Sequence, residues 1–189
     1  YLGKRCVHGL NYRMLAAKLA EVCKIPLSMA NEAWSSYHKA FPEIQKGWDS
    51  TIKEVKQTKM IYSWFQAPGS EQARRLIVME QITEELLEPI VAFRPQSTIG
   101  DKVSSVIYLC EADPRWPSDA RFLLNIHDAL VAIHKPEDKR TVQNLLREYA
   151  ESPLKIRGQL VSIPADIKES TEVDGYHRWS SLESLEDET

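Results

Sequence analysis

The chain of 189 residues, 43% hydrophobic and 27% charged, has the composition of an ordinary globular protein. It contains no run near the roughly 18 apolar residues that cross a bilayer, so we expect no membrane partner. The net charge of −3 conceals an asymmetry. Residues 1–60 carry ten Lys and Arg against five Asp and Glu, whereas 61–189 carry fourteen against twenty-two. The basic part suits a phosphate-bearing partner, although charge alone is equally typical of a solvated helix face.

The cysteines argue against a disulfide framework and against a zinc site. There are three, Cys6, Cys23 and Cys110, at spacings that match neither a pair nor a metal motif. The five histidines are also scattered, and no two of them are four residues apart. We therefore expect a reducing compartment and cysteines in ordinary packing.

Three helices are predicted at the start of the chain. Residues 2–24 lack proline and repeat apolar residues at helical spacing, which predicts a single helix. Ser28 is a candidate N-cap for the next helix, and Pro42 suits the first turn of the third. The predicted helices are 2–24, 29–40 and 43–57.

A mixture of strands and helices follows. Lys59–Gln66 is rich in aromatic and aliphatic residues, which is typical of a strand. A long helix is predicted from Ser70 to about Ala92, bent or closed by Pro89. The remaining predicted elements are a helix over 96–110, a β-hairpin over 121–133, a helix over 136–150 and a strand over 155–163. This order predicts an α+β protein with a small antiparallel sheet packed on helices, together with a helical N-terminal part.

The stretch 121–133 consists of two aliphatic runs separated by His127, Asp128 and Ala129. A polar break of three residues predicts a tight hairpin that carries the Asp128 carboxylate at its tip. Such a carboxylate suits Mg²⁺, because that ion takes one or two carboxylates and fills its other positions with water and phosphate oxygens. Asp is also common in turns that bind nothing, so this segment alone leaves both interpretations open.

A second segment, near the start of the chain, also carries chemistry. On a helix, Lys4, His8 and Tyr12 follow one another at intervals of four residues and lie along one stripe. Three such groups in a row could contact nucleotides one after another. The ammonium suits a triphosphate, the imidazole suits a sugar or base, and the phenol suits a template base. A mixed polar face without any ligand has the same spacing.

Four segments, taken in order, resemble family A DNA polymerases, the bacterial polymerase I and phage replicative type. Lys4 with Tyr12 eight residues later is similar to the fingers helix called motif B. His127-Asp128 between apolar runs resembles the palm hairpin called motif C. Pro95-Gln96 is similar to a helix start whose glutamine contacts the minor groove of the primer–template. The similarity covers about residues 3–179 and includes Tyr37-x3-Phe41-Pro42, followed by Trp48.

The resemblance implies a role for each of these residues. Lys4 would bind the phosphates of the incoming dNTP, His8 would pack on its sugar and base, and Tyr12 would guard the template base. Asp128 would hold catalytic Mg²⁺, with His127 supporting the primer terminus. The implied DNA contacts are Tyr12, Arg13, Gln96 and His127. The implied reaction adds dNTPs to a primer 3′-hydroxyl with two metal ions, one activating the hydroxyl and one stabilising the leaving pyrophosphate.

The resemblance also implies an organisation and partners. Residues 1–58 would belong to the fingers, 59–170 to the palm, and 171–189 to a C-terminal segment with an acidic, flexible tail. The partners would be primer–template DNA, dNTP and a missing N-terminal part that carries motif A and the thumb. The location would be the cytoplasm of a bacterial or phage-infected cell. Because one carboxylate cannot hold two cations, we expect this chain alone to be inactive.

Several residues depart from the family pattern. Arg13 stands where the family has Gly, and Ala129 stands where a glutamate is usual. Trp64-Phe65-Gln66 lies where Gly-Arg-Arg is common, and Glu88 and Ala92 fall near positions often held by Arg and Asn. Two alternatives therefore stay open: a degenerate, non-catalytic nucleic-acid-binding remnant, and a metal-dependent phosphohydrolase that uses His127-Asp128 as a His-Asp pair.

Overall fold

The computed structural model describes residues 2–66, 74–78, 81–156, 158–173 and 176–184, with the backbone alone for Leu2 and for 171–184. The chain divides into two compact units. Unit 1 comprises Tyr1–Trp64 with Gln72–Thr98, and unit 2 comprises Phe65–Glu71 with Ile99–Thr189. Each unit is described by itself below.

Unit 1 consists mainly of helices. Its elements are α1 (Leu2–Asn11), α2 (Ala16–Cys23), α3 (Leu27–Ala40), α4 (Pro42–Thr58), β1 (Met60–Tyr62), β2 (Arg75–Ile77) and the first part of α5 (Glu84–Ala112). The predicted second and third helices are confirmed as α3 and α4. Pro42 occupies the first turn of α4 as expected, whereas Pro26 rather than Ser28 is the N-cap of α3.

The prediction of one helix over 2–24 is wrong. Arg13 has φ +69°, a left-handed conformation that ends α1. The N–H of Met14 donates to the carbonyl of Gly9 at 2.9 Å, which is the six-to-one bond of a Schellman cap. Because this cap uses a non-glycine residue in the left-handed region, hydrophobic periodicity gave no sign of it.

Two clusters form the core of unit 1. In the first, α1, α2 and α3 bury Leu10, Leu19, Cys23 and Ala30 together. In the second, Val55 of α4 and Ile61 of β1 pack with Val78 and Ile90. A buried guanidinium supports the second cluster, because Arg94 donates to both carboxylate oxygens of Glu54 and to the carbonyl of Tyr62.

The region after β1 differs from the predicted strand and two helices. The strand is shorter than Lys59–Gln66, and Arg75–Ile77 forms its antiparallel partner, with Ile61 opposite Leu76. A single helix, α5, then runs through Pro89 and Pro95. A proline inside a helix loses a hydrogen bond and costs about 3 kcal/mol. Burial of Ile90, Val91 and their neighbours offsets that cost. Residues 70–73, 79 and 80 of the predicted helix lie outside the described residues.

Unit 2 contains the second part of α5, β3 (Arg121–Ile126), β4 (Ala129–Ile133), a 3-10 turn (Pro136–Asp138), α6 (Lys139–Glu151), β5 (Leu154–Ile156), β6 (Gln159–Val161), β7 (Lys168–Val173) and β8 (Tyr176–Ser184). The hairpin over 121–133 is confirmed, as is the helix that follows Pro136. The predicted strand over 155–163 is a second hairpin, because Gly158 turns the chain at φ +85°. The pair β7–β8 was not anticipated from the sequence.

The core of unit 2 joins α5, α6 and the β3–β4 hairpin. Val106, Cys110 and Leu145 are buried there, with Phe122 of β3 and Leu130 of β4 packed against them. The fold class is α+β as predicted, and the strands among the described residues form antiparallel pairs. No helix in the described ranges is long and apolar enough to cross a membrane. The boundaries of 1–58, 59–170 and 171–189 stay predictions.

Candidate nucleic-acid interface

The α1 stripe presents three of the predicted site residues. Lys4 and His8 are exposed on α1, and Tyr12 follows the last helical turn with its side chain half-buried. The rings of His8 and Tyr12 meet edge to face, with centroids 4.6 Å apart. The stripe is thus an exposed cation followed by two aromatic rings.

The end of α1 is held in place by aromatic side chains of α3 and α4. The hydroxyl of Tyr37 donates to Oδ1 of Asn11 at 2.8 Å, and the indole N–H of Trp48 donates to the Asn11 carbonyl at 2.9 Å. The second bond satisfies one of the carbonyls that a helix leaves unpaired at its end. Tyr12 therefore follows a backbone position that two neighbouring helices fix.

An open groove of about 330 Å³ lies within unit 1. Three of the predicted site residues, His8, Tyr12 and Gln96, line it together. The other lining residues are Gly9, Met14, Glu88, Pro89 and Ala92. Its volume lies at the lower end of the range for small-molecule sites, which is about 300–1,000 Å³.

The α5 wall of the groove is one face of a helix. Glu88, Ala92 and Gln96 follow one another at intervals of four residues, so they lie in a row. The first of them brings a carboxylate, and the last brings an amide that both donates and accepts. All three residues take part in the comparison with the resembled family. Their common face was not expected, because the predicted helix ended near Ala92.

The α1 wall depends on Gly9. A Cβ atom at this position would stand 2.7 Å from Sδ of Met14, so the glycine leaves room for the methionine to fold back. Burial raises the pKa of the Tyr12 phenol above its ordinary value, because the charged form would lose its hydration. Tyr12 therefore stays a neutral hydrogen-bond donor at physiological pH.

Arg13 lies next to the groove and forms an ion pair. Its guanidinium is 3.1 Å from the carboxylate of Glu84, which remains largely exposed. The left-handed backbone at Arg13 is the conformation that glycine adopts most easily. The resembled family has glycine at this position, so Arg13 adopts this backbone at a conformational cost. In return, its side chain forms an ion pair.

His127 and Asp128 occupy the tip of the β3–β4 hairpin in unit 2. Ile126 pairs with Ala129, so the loop has two residues rather than the three predicted from the sequence. His127 has φ +54°, in the left-handed region that favours glycine. Both side chains are exposed.

Asp128 fits one ligand position of a magnesium ion. Its carboxylate is open to solvent and makes no hydrogen bond or ion pair with the described residues, so its oxygens are available to a hard cation. The described residues contain no group of three or more His, Cys, Asp and Glu side chains placed to hold a metal ion. The Asp128 carboxylate therefore suits an ion whose other ligands are water molecules or groups outside the described residues.

The predicted site residues thus fall into two sets. His8, Tyr12 and Gln96 come together in unit 1, with Lys4 and Arg13 on the same segment as the first two. His127 and Asp128 belong to unit 2. The metal and DNA roles of these residues stay predictions.

The fold is similar to that of a DNA polymerase domain. The solved structure of the polymerase domain of Pol1 from M. smegmatis, in complex with DNA primer-template and dNTP, is similar to this chain with a TM-score of 0.67 and 17% sequence identity. The similarity covers 84% of this chain and 28% of that chain. This chain therefore spans less than a third of that structure. No protein-family model matches the sequence, and no curated protein matches it either.

Proposed function

We propose that this chain is the fingers and palm part of a family A DNA-directed DNA polymerase, in the cytoplasm of a bacterial or phage-infected cell. The observation that carries the proposal is the polymerase-domain fold, which extends over 84% of the chain. The groove that unites His8, Tyr12 and Gln96 supports it independently, because the sequence resemblance had selected these residues without knowledge of their proximity. The proposed substrates are dNTP and primer–template DNA.

In this proposal α1 receives the incoming nucleotide. Lys4 pairs its ammonium with the triphosphate, and its exposure leaves all three N–H donors available. His8 packs on the sugar and base, while the Tyr12 ring lies against the template base. The edge-to-face contact between the two rings fixes the surface on which a base can stack.

The DNA side of the proposal uses Gln96, Arg13 and His127. The Gln96 amide can donate to the base acceptors of the minor groove, which are common to both orientations of an A·T pair. Contacts of this kind verify the shape of a base pair rather than its identity. Arg13 reaches phosphate by exchanging the exposed Glu84 carboxylate for a phosphate oxygen, and His127 supports the primer terminus.

Asp128 would hold catalytic Mg²⁺. The bound ions would activate the primer hydroxyl and neutralise the leaving pyrophosphate. Asp128 supplies one carboxylate, so a second must come from another part of the polymerase. The apolar side chains of Leu123, Leu124 and Ile126 are 41–52% exposed on the same hairpin. We propose that this other part, which carries motif A and the thumb, covers them.

A non-catalytic nucleic-acid-binding remnant is the second candidate. Ala129 follows Asp128 directly, at the position where the resembled family has a second carboxylate. Glu88 adds a negative charge to the groove. Both features weaken catalysis or phosphate binding without removing the fold. Primer extension by a complete polymerase that contains this chain separates the two candidates.

Nucleotide binding tests the proposal on the chain itself. Titration with a fluorescent dNTP in Mg²⁺ should give binding that Lys4→Ala weakens about tenfold or more, since a hydrogen bond to a charged group contributes about 1.5–3 kcal/mol. Lys56→Ala is the matched control, because it removes the same charge from another exposed position of unit 1. Equal losses in the two variants, or no binding that depends on Lys4, would contradict the proposal.

A further inference from the structure

Two thiols meet inside unit 1. Cys6 lies on α1 and Cys23 is the last residue of α2, yet their Sγ atoms are only 3.1 Å apart. The sulfur atoms of a disulfide are about 2.05 Å apart, so a movement of about 1 Å would bring these two to bonding distance. Seventeen positions separate the cysteines in the sequence, which explains why their spacing did not indicate a pair.

The surroundings of the pair favour chemistry between the two thiols rather than metal binding. Leu10, Leu19 and Ala30 pack with Cys23 in one apolar cluster. Cys23 is buried, whereas Cys6 is partly exposed and gives small molecules access. The hydrogen bond with Cys23, followed by burial, raises the pKa of the Cys6 thiol, so Cys6 keeps its proton at neutral pH.

We propose that Cys6 and Cys23 are a reversible disulfide site that ties α1 to α2 when a small-molecule disulfide is present. The Cys6 thiolate attacks the small disulfide, releases one small thiol and becomes a mixed disulfide. The Cys23 thiolate then attacks the Cys6 sulfur and releases the second small thiol. The two protein thiols together lose two protons and two electrons, and the two released thiols carry them.

The bond would close a loop over the end of α1. Sixteen residues lie between the two cysteines, and they include the cap formed by Arg13 and Met14. Closing a loop of this length restricts the unfolded chain and so stabilises unit 1. The same bond would restrain α1, the helix that presents Lys4 and His8. This consequence holds whether or not the chain is part of a polymerase.

The third cysteine provides an internal control. Cys110 belongs to unit 2 and is fully buried. Burial, followed by the charges of Asp113 and Glu111, raises the pKa of the Cys110 thiol to about 12. Cys110 therefore stays a thiol under conditions that oxidise the pair.

Thiol mapping tests the proposal. The native chain is equilibrated with oxidised glutathione at pH 8, unfolded in acid, alkylated and digested for mass spectrometry. We expect a Cys6–Cys23 cross-linked peptide, an alkylated Cys110, and full reversal by dithiothreitol. Cys23→Ala should instead accumulate a lasting glutathione adduct on Cys6. The proposal is overturned if the native chain also keeps that adduct, or if both thiols stay alkylatable.

Thermal unfolding gives a second measurement. The oxidised chain should unfold about 5–10 °C higher than the reduced chain, because a loop of about 15 residues is cross-linked. Cys110→Ala should show the same difference between its oxidised and reduced forms, whereas Cys6→Ala should show none. A cross-link that lowers the unfolding temperature would mean that the bond distorts unit 1, and the proposed tie between α1 and α2 would be wrong.

Discussion

Arg13 combines an unfavourable backbone conformation with a favourable ion pair. Its φ of +69° costs an L-residue about 1–2 kcal/mol, whereas glycine adopts it freely. The ion pair with the exposed Glu84 carboxylate contributes less than about 1 kcal/mol. The position therefore tolerates the arginine but is not stabilised by it.

Two substitutions at Arg13 separate these contributions. Arg13→Gly and Arg13→Ala both remove the ion pair, but only the glycine relieves the left-handed backbone. We expect the glycine variant to be more stable than the alanine variant by about 1 kcal/mol in urea unfolding. If alanine is as stable as glycine, the φ of +69° does not describe this residue in solution.

His38 is a titratable group enclosed by aromatic rings. It is 4% exposed, its ring lies 4.5 Å from that of Trp34 and 4.8 Å from that of Trp48, and neither ring nitrogen has a hydrogen-bond partner in the described structure. Burial lowers the pKa of His38, because the cation would lose its hydration. The folded chain therefore holds His38 neutral.

A dependence of stability on pH follows. The unfolded chain takes up a proton at His38 below a pH of about 6.5, whereas the folded chain resists it, so stability is full above that pH and falls below it. The loss is at most about 1.4 kcal/mol per pH unit for one group. Urea midpoints at pH 7.5 and 5.5 should therefore differ less in His38→Phe than in the native chain. His134→Gln is the control and should retain the native difference.

At the scale of secondary structure, Arg94 joins α4, β1 and α5. The side chain is 8% exposed and contacts both oxygens of Glu54, at 2.5 and 2.6 Å. A guanidinium in this position is stable only while its partners remain. The pair therefore links the three elements and makes each dependent on the other two.

A double-mutant cycle measures this link. Glu54→Ala leaves a buried cation without its carboxylate and should cost about 2–3 kcal/mol of unfolding free energy. Adding Arg94→Met removes the unpaired charge and replaces it with an apolar chain of similar length. We expect the double variant to be more stable than the two single losses predict, by at least about 1 kcal/mol. Strict additivity would show that the two side chains do not interact.

Local sequence predicts some of the helices and strands but not others. The β3–β4 hairpin followed from two aliphatic runs around a polar break, and α3 and α4 followed from periodicity and from Pro42. The break between α1 and α2 could not be predicted in this way. Arg13 ends α1 with a left-handed backbone conformation, and the sequence has no glycine at that position to indicate it. The continuity of α5 through Pro89 and Pro95 depends on burial that only the folded core supplies.

The candidate site, like the secondary structure, could be predicted only in part from the sequence. The order of Lys4, His8 and Tyr12 along one stripe followed from helical spacing alone. Gln96 required the family resemblance, because it is more than eighty residues away in sequence and joins His8 and Tyr12 only through the fold. Met14 carried no sequence signal, since its place in the groove depends on the missing side chain of Gly9.

At the scale of the whole molecule, the proposed reaction needs more than this chain supplies. A hairpin with one open carboxylate can orient a hard cation but cannot hold two. The chain also spans only 28% of the Pol1 polymerase-domain structure that it resembles. We therefore expect no primer extension by the isolated 189-residue chain, and extension once the remaining polymerase parts are joined to it.

Substitution of Asp128 should reduce primer extension by the joined polymerase. Asp128→Asn keeps the size of the side chain and the two-residue loop but weakens the cation ligand, so extension should fall about 1,000-fold, equivalent to about 4 kcal/mol. Primer–template affinity should change little, because phosphate contacts elsewhere supply most of it. Glu137→Gln removes a charge from an exposed position of the same unit and should leave extension intact. Undiminished extension in Asp128→Asn would refute the metal role, and parallel losses of extension and DNA affinity would make Asp128 a residue that contacts DNA.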